Sequence, residues 1–377
     1  MHTYAFQLGH QRDLSQEEIF SVLSQKRILP TYTRLVGEYF LVSTDTPLDP
    51  EADMIILGGT RLIGEKLDPK GNAEETLFSY LSSLPSTTKL HFSVSGGTQA
   101  SRLAIAVKKK LKTIGRSVRY VETKNTATIL HNGLVERGTH LTIIDNVVYV
   151  TRAIQPIEDM SERDYGRPSV DGKSGMLPPK LSRMMINLAM PEKNDTLLDP
   201  FCGSGTLLGE ALSLAIPHII GSDISEKATS DSEKNVAWLQ TNLESPVTDI
   251  QIFQSDVRVL TEHIEKESID IIATEPYMGV PRTGREQRTF LEKQVQELQA
   301  LYIDAFRVFA QILKPGGRVI FVVPQFRYKD DWVRVECQNN IKKLGFEMLP
   351  YQEKEMPLVY AREQQFVARE IWRWVKK

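Results

Sequence analysis

The chain has 377 residues, 41% of them hydrophobic and 25% charged, with a formal net charge of −2. That length predicts two or three domains, and the near-zero charge excludes a global cationic field, so a polyanionic partner has to be met by a local patch. Two cysteines, Cys202 and Cys337, exclude a disulfide framework and a zinc-ligand spacing, and no metal site is expected. No apolar run reaches the ~20 residues of a membrane helix. The opening "MHTYAFQLGHQRD" lacks the basic-then-apolar pattern of a secretory signal, so the setting expected is cytoplasmic.

In chain order, "TYAFQLG" reads as a strand, followed by a helix with Ser15 as its cap and Glu18 three residues on, then the strand "YFLVST". A helix near 75–84 follows. The strand "LHFSVSGG", a basic helix, the strand "SVRYVET" and a hairpin turning at Asp145-Asn146 complete an α+β half. This predicts an N-terminal region over 1–60 and a second region over 61–160. Residues 161–180, rich in Gly, Pro and charge, read as a linker or functional loop. From 181 to 377 the pattern changes. The helix "KLSRMMINLAM" leads into strand, Gly-rich turn and helix at "TLLDPFCGSGTLLGEALSLA", and strands ending in "SDIS", "QSDV" and "TEPY" follow. A helix over about 290–313, the turn "KPGG" and the apolar strand "RVIFVVP" come next. Strands alternating with helices predict an α/β fold with a Rossmann-like, parallel sheet covered on both faces.

The stretch "DPFCGSGT" carries the sharpest signal. Gly203 and Gly205 permit positive φ and close approach of a ligand to the backbone. No lysine follows, which excludes a phosphate-gripping loop, and Leu208 stands where a dinucleotide fingerprint needs its third glycine. Asp223 ends the next strand, where a carboxylate accepts from ribose hydroxyls. Asp256 ends the strand after it, placed for an adenine amino group. Ribose and adenine without pyrophosphate point to S-adenosylmethionine, with Asp199 toward its ammonium. The plainer reading takes the glycines as a turn and the acids as helix caps, and Cys202 as a packing residue.

Glu275, Pro276 and Tyr277 end the fourth strand. An exocyclic amine on a base is a weak nucleophile. A carboxylate and a carbonyl ahead of a rigid proline can accept its hydrogens and aim its nitrogen. An aromatic ring beside them offers a stacking face. The plainer reading is a turn.

"DPFCGSGT", "GSDIS" and "TEPYMG" together resemble the class I S-adenosylmethionine amino-methyltransferases, whose last motif is Asp, Asn or Ser, then x-Pro-aromatic. "GRPSVDGKSGMLPPKLSRMMINLAM" resembles the segment ahead of the catalytic domain in tRNA guanine-N2 methyltransferases acting at position ten. The resemblance implies a class I methyltransferase domain over 181–377, preceded by a ferredoxin-like region over 1–60 and an RNA-binding THUMP-like domain over 61–160. It also implies tRNA as substrate, with no membrane partner, and leaves a small activating subunit undecided. For the cofactor it implies contacts from Met176, Leu177, Asp199, Pro200, Phe201, Gly203, Gly205, Thr206, Asp223, Ile224, Asp256 and Val257. "TEPYMG" departs from the family's usual "DPPYG". If Pro276-Tyr277 is the Pro-aromatic pair, Thr274 takes the acid's place. If Glu275 is the acid, Met278 takes the aromatic's. Glu275 as acceptor with Tyr277 stacking is the preferred arrangement.

Residues 102–124 hold eight Lys or Arg and one acid, a local electrostatic footprint for RNA or else a solvated helix face. A paired guanine would have to be turned out of its stem to be reached. Arg167, Lys173 and Arg282 flank the site as phosphate contacts or ordinary surface charges. Two other functions compete: a DNA adenine or cytosine amino-methyltransferase, and a non-catalytic RNA-binding protein with a vestigial cofactor fold.

Overall fold

The computed structural model describes residues 1–85, 88–123, 125–169, 177–243, 245, 247, 249–351, 358–362 and 365–377. These divide into two compact units, one of residues 1–12 and 27–156, the other of residues 13–26 and 157–377.

The first unit is built on strands β1 (His2–Leu8), β2 (Tyr32–Val36), β3 (Tyr39–Thr44) and β4 (Thr60–Lys66), then β5 (Leu90–Ser95), β6 (Val118–Tyr120), β7 (His140–Ile144) and β8 (Val147–Ile154). Helix α1 (Arg12–Gln25) groups with the other unit. Helices α2 (Pro50–Ile56), α3 (Ala73–Ser83), α4 (Ala100–Thr113) and α5 (Thr126–His131) complete this one. The strands form one mixed sheet in the order β2-β3-β1-β4-β8-β7-β5-β6. Strand β4 bonds to both β1 and β8, so the stretches on either side of residue 60 share a single sheet. Local chemistry explains two boundaries. Asn72 and Glu75 close a reciprocal capping box at the start of α3. Asp145 and Asn146 both take positive φ, 47° and 62°, which lets β7 turn directly into β8 with the twist a tight hairpin needs. The cap expected at Ser15 is not there. Helix α1 begins at Arg12, and Ser15 is buried within it. Packing of Leu14 into a core with Leu181 and Met185 sets that end instead.

The second unit opens with α6 (Ile157–Tyr165), so the stretch expected as a linker begins inside a helix. Then come α7 (Pro179–Leu188), β9 (Thr196–Asp199), α8 (Thr206–Ser213), β10 (His218–Asp223), α9 (Glu226–Asn242) and β11 (Asp249–Gln254). A 3-10 helix (Val257–Glu262), β12 (Ile269–Thr274), α10 (Arg288–Ile312), β13 (Leu313–Tyr328) and β14 (Asp331–Arg334) follow. The chain closes with α11 (Gln338–Lys343), β15 (Phe346–Met348), β16 (Leu358–Tyr360) and β17 (Val367–Lys376).

The main path of this sheet is β11-β10-β9-β12-β13-β17-β15, with β14 on β13 and β16 on β17. The first five strands run parallel, and β17 is antiparallel to its neighbours. Successive residues along each strand feed opposite faces, as the two-residue period requires. Leu198, Ile272, Phe321 and Trp372 pack with Leu298, Tyr302 and Phe309 of α10. Their chain neighbours Leu197, Ile271, Ile320 and Ile371 pack with α7, α8 and α9. Both faces are covered, which is why these strands read as unbroken apolar runs. The apolar stripe of Leu181, Met184, Met185 and Leu188 belongs to this core.

"KPGG" lies within β13 and makes a bulge there. Pairing with β12 jumps from Leu313 to Arg318, and Gly316 sits at φ +77°. Strand β9 is flanked by β10 on one side and β12 on the other, so the winding reverses there. In an open parallel sheet the crevice opens at that switch point, outside the carboxyl ends of the strands.

Candidate active site

Asp199 is the last residue of β9 and Asp223 the last of β10, while Glu275 follows the last residue of β12. All three line one cleft of about 1140 Å³, together with Leu177, Pro200, Phe201, Gly203, Thr206, Ile224, Asp256 and Val257. Pro276 and Tyr277 also line it. Met176 lies outside the described residues.

The turn after β9 is shaped by its glycines. Gly203 and Gly205 have φ of +53° and +80°. A side chain on Gly205 would run into Ser232 of α9, whereas one on Gly203 would meet no protein atom within 4 Å. Gly205→Ala is therefore expected to destabilise the protein by roughly 2 kcal/mol or more, through both left-handed strain and collision. Gly203→Ala should cost only about 1 kcal/mol. Urea unfolding of the two variants checks the order, and a larger loss for Gly203→Ala would contradict the packing described.

Asp223 is fixed from behind. It accepts from the backbone N–H of Gly203 at 3.0 Å and of Ser225 at 2.9 Å. The cap of α9 is Ser225 and not the acid, so the plain helix-cap reading fails for Asp223. It holds for Asp256, which caps the 3-10 helix and grips Arg258, with its carboxylate drawn below the usual range by that guanidinium. Asp256 stands at the expected place, but much of its accepting capacity is engaged.

Asp199 is buried and accepts from the Thr274 hydroxyl at 2.6 Å and the Phe201 N–H at 3.2 Å. Burial pushes its carboxyl up to about 7, a rise that those two hydrogen bonds oppose and that the charges of Asp223 and Glu275 reinforce. A buried carboxylate with only neutral donors around it is a seat for a cation such as an ammonium. Thr274 serves that acid. It is fully buried and is not among the residues that line the cleft.

Glu275 forms a 2.5 Å ion pair with Arg369 of β17, an interaction no local sequence pattern signals. Tyr277 is 55% exposed in the cleft wall, while its carbonyl accepts from the buried Tyr302 hydroxyl at 2.8 Å. The ring is thus a free stacking face on a fixed backbone.

Two flanking arginines are not surface charges. Arg167 is buried and donates to Thr206 at the start of α8, and the neighbouring Ser169 is held on both backbone groups by Asn235. The Arg282 side chain is buried against Glu286 and over the Phe326 ring. Lys173 lies outside the described residues. Cys202 is buried, and burial pushes its thiol well up, as suits a packing residue. In the first unit the basic stretch is thinner than its composition. Arg116 is buried and caps the carbonyls of Ser82, Leu84 and Pro85, and Lys110 pairs with Glu74. Arg102, Lys109, Lys112 and Arg119 remain exposed.

Among the described residues no helix is long and apolar enough to cross a membrane, and no cluster of His, Cys, Asp or Glu could hold a metal ion.

Five parallel strands switching direction at β9, an antiparallel β17 inserted beside β13, and acids at the first two strand tips define a class I methyltransferase fold. The family model described as UPF0020, RMKL-like, methyltransferase domain matches residues 167–344 of this chain. A tRNA (guanine(10)-N2)-dimethyltransferase of Methanothermobacter thermautotrophicus is 28% identical over 152 residues, 40% of each chain. That of Methanocaldococcus jannaschii is 28% identical over 193 residues, 49% of this chain and 48% of its own. The chain thus spans less than half the length of these two curated relatives. Among solved structures, TrmN from Thermus thermophilus superposes over 100% of both chains with a TM-score of 0.54 at 16% identity, a likeness of fold.

Proposed function

We propose that the protein methylates the exocyclic N2 amine of a guanosine in tRNA, at position ten, using S-adenosylmethionine, in a cytoplasmic setting. The observation that carries this reading is the convergence of Asp199, Asp223 and Glu275 on one cleft at the switch point. Two relatives named for the same reaction support it.

The residues present fit the cofactor. Asp223 offers carboxylate oxygens for the ribose, Gly203 leaves room beside it, exposed Ile224 offers an apolar face for the adenine, and buried Asp199 suits the ammonium. When bound, the cofactor would supply an electrophilic methyl carbon, and its sulfonium would leave as a neutral thioether when the sulfur–methyl bond breaks. The chain's own part is to orient the amine. Glu275 accepts an amine hydrogen, which concentrates the nitrogen lone pair on the reacting side, and takes the proton released as the new N–C bond forms. Pro276 fixes the backbone beside it, and Tyr277 stacks the base.

Transfer of tritiated methyl groups to bulk tRNA, rRNA and DNA, followed by nucleoside digestion, tests the proposal. Label in N2-methylguanosine of tRNA is expected, and label confined to N6-methyladenosine would overturn it. Label in tRNA guanosine at position 6, the site named for a Thermus thermophilus relative 31% identical over 38% of each chain, would move the target within the same chemistry.

We assign the exposed charges of α4 and β6 to RNA contact. Replacing Lys109 and Lys112 with Gln should weaken tRNA binding and flatten the log–log salt dependence by about 2, without altering cofactor affinity. Filter binding across a salt series checks this, and an unchanged slope would assign these lysines to the solvated face alone.

A further inference from the structure

We infer that Arg369 reads the ring carbonyl of the target base, so that the Glu275–Arg369 pair selects guanine. The inference rests on the function proposed above. Arg369 Nε binds Glu275 Oε1 at 2.5 Å, and both side chains line the cleft beside the exposed face of Tyr277. Among the described residues, the two terminal guanidinium nitrogens of Arg369 have no hydrogen-bond partner. The pair thus presents carboxylate acceptors next to cationic donors along one edge of the pocket. Guanine's Watson–Crick edge is complementary: two adjacent N–H groups at N2 and N1, then the O6 acceptor. Adenine offers one N–H donor and one ring acceptor, and cannot engage both carboxylate oxygens together with the guanidinium. A carboxylate that accepts from N1–H and N2–H also holds the reacting amine, so selection and positioning fall on the same contact. Arg369 is a specificity-determining residue here, acting on the substrate and through Glu275.

The test is a substrate ratio within each protein, which is insensitive to the fraction folded. A tRNA carrying 6-thioguanosine at the methylated position keeps both N–H groups and weakens only the acceptor that faces Arg369. The wild-type protein should favour guanosine over 6-thioguanosine by about tenfold in kcat/KM, from loss of one charge-assisted hydrogen bond. In Arg369→Met the ratio should fall to within about twofold, while S-adenosylhomocysteine affinity stays at the wild-type value. A guanosine-methylating wild type whose ratio is unchanged in Arg369→Met would overturn the assignment to Arg369 alone. A wild type that methylates no guanosine would overturn the proposed function, and this inference with it.

Discussion

Glu275→Ala should lower the rate of methyl transfer by about 10³-fold while leaving cofactor affinity within about twofold of wild type. The separation is expected because Glu275 stands at the tip of β12, whereas the residues suited to the cofactor stand at β9 and β10. The substitution also leaves Arg369 without its carboxylate, a mostly buried pairing, so some loss of stability, about 1–3 kcal/mol, accompanies it. Single-turnover transfer together with calorimetry of cofactor binding separates the effects. Equal loss of binding and transfer would make Glu275 a structural residue.

The second large effect is at Asp199. Its carboxyl titrates near 7 in the folded chain, against about 3.9 when unfolded. A raised acid binds its proton more tightly in the folded state. Its contribution to stability is therefore most favourable below about pH 4 and declines as the pH rises toward 7, by up to about 4 kcal/mol. Asp199→Asn removes that cost and keeps an acceptor for Thr274, so the variant should be more stable than wild type at pH 7.5 and nearly equal at pH 4. It should lose cofactor affinity by about 100-fold or more. Wild-type affinity should rise between pH 6 and 7.5, as Asp199 ionises, and flatten before the ligand's own ammonium titrates near 8. The variant should show no such rise. Calorimetry across pH, with thermal unfolding of the free proteins, checks both. A pH-independent wild type would remove Asp199 from the ammonium site.

The features legible in the sequence are those fixed by nearby residues. Two glycines with positive φ, a pair of αL residues at Asp145-Asn146 and the strand-tip positions of Asp199 and Asp223 follow from local chemistry that the residue types announce. What escaped the sequence depends on packing between distant segments. Ser15 has the identity of a cap but sits inside α1, because the burial of Leu14 extends the helix. Arg116, in a stretch read as an RNA footprint or solvated face, and Arg167, read as a phosphate contact or surface charge, are both buried on backbone or hydroxyl acceptors far along the chain. Arg369 reaches Glu275 only because β17 runs antiparallel beside β13, which no period or spacing reveals. Within "TEPYMG" the two candidate residues also part through packing between distant segments. Thr274 occupies the acid's register but turns to Asp199, and it is Glu275 that faces the cleft.

One measurement bears on the whole account: a crystal structure of the protein with S-adenosylhomocysteine. It should show the ribose hydroxyls on Asp223, the amino group at Asp199, and the thioether sulfur open toward the space between Glu275 and the Tyr277 ring. A ligand seated elsewhere, or bound with its sulfur walled off from Glu275, would contradict the claim that methyl donor and base amine meet in this crevice.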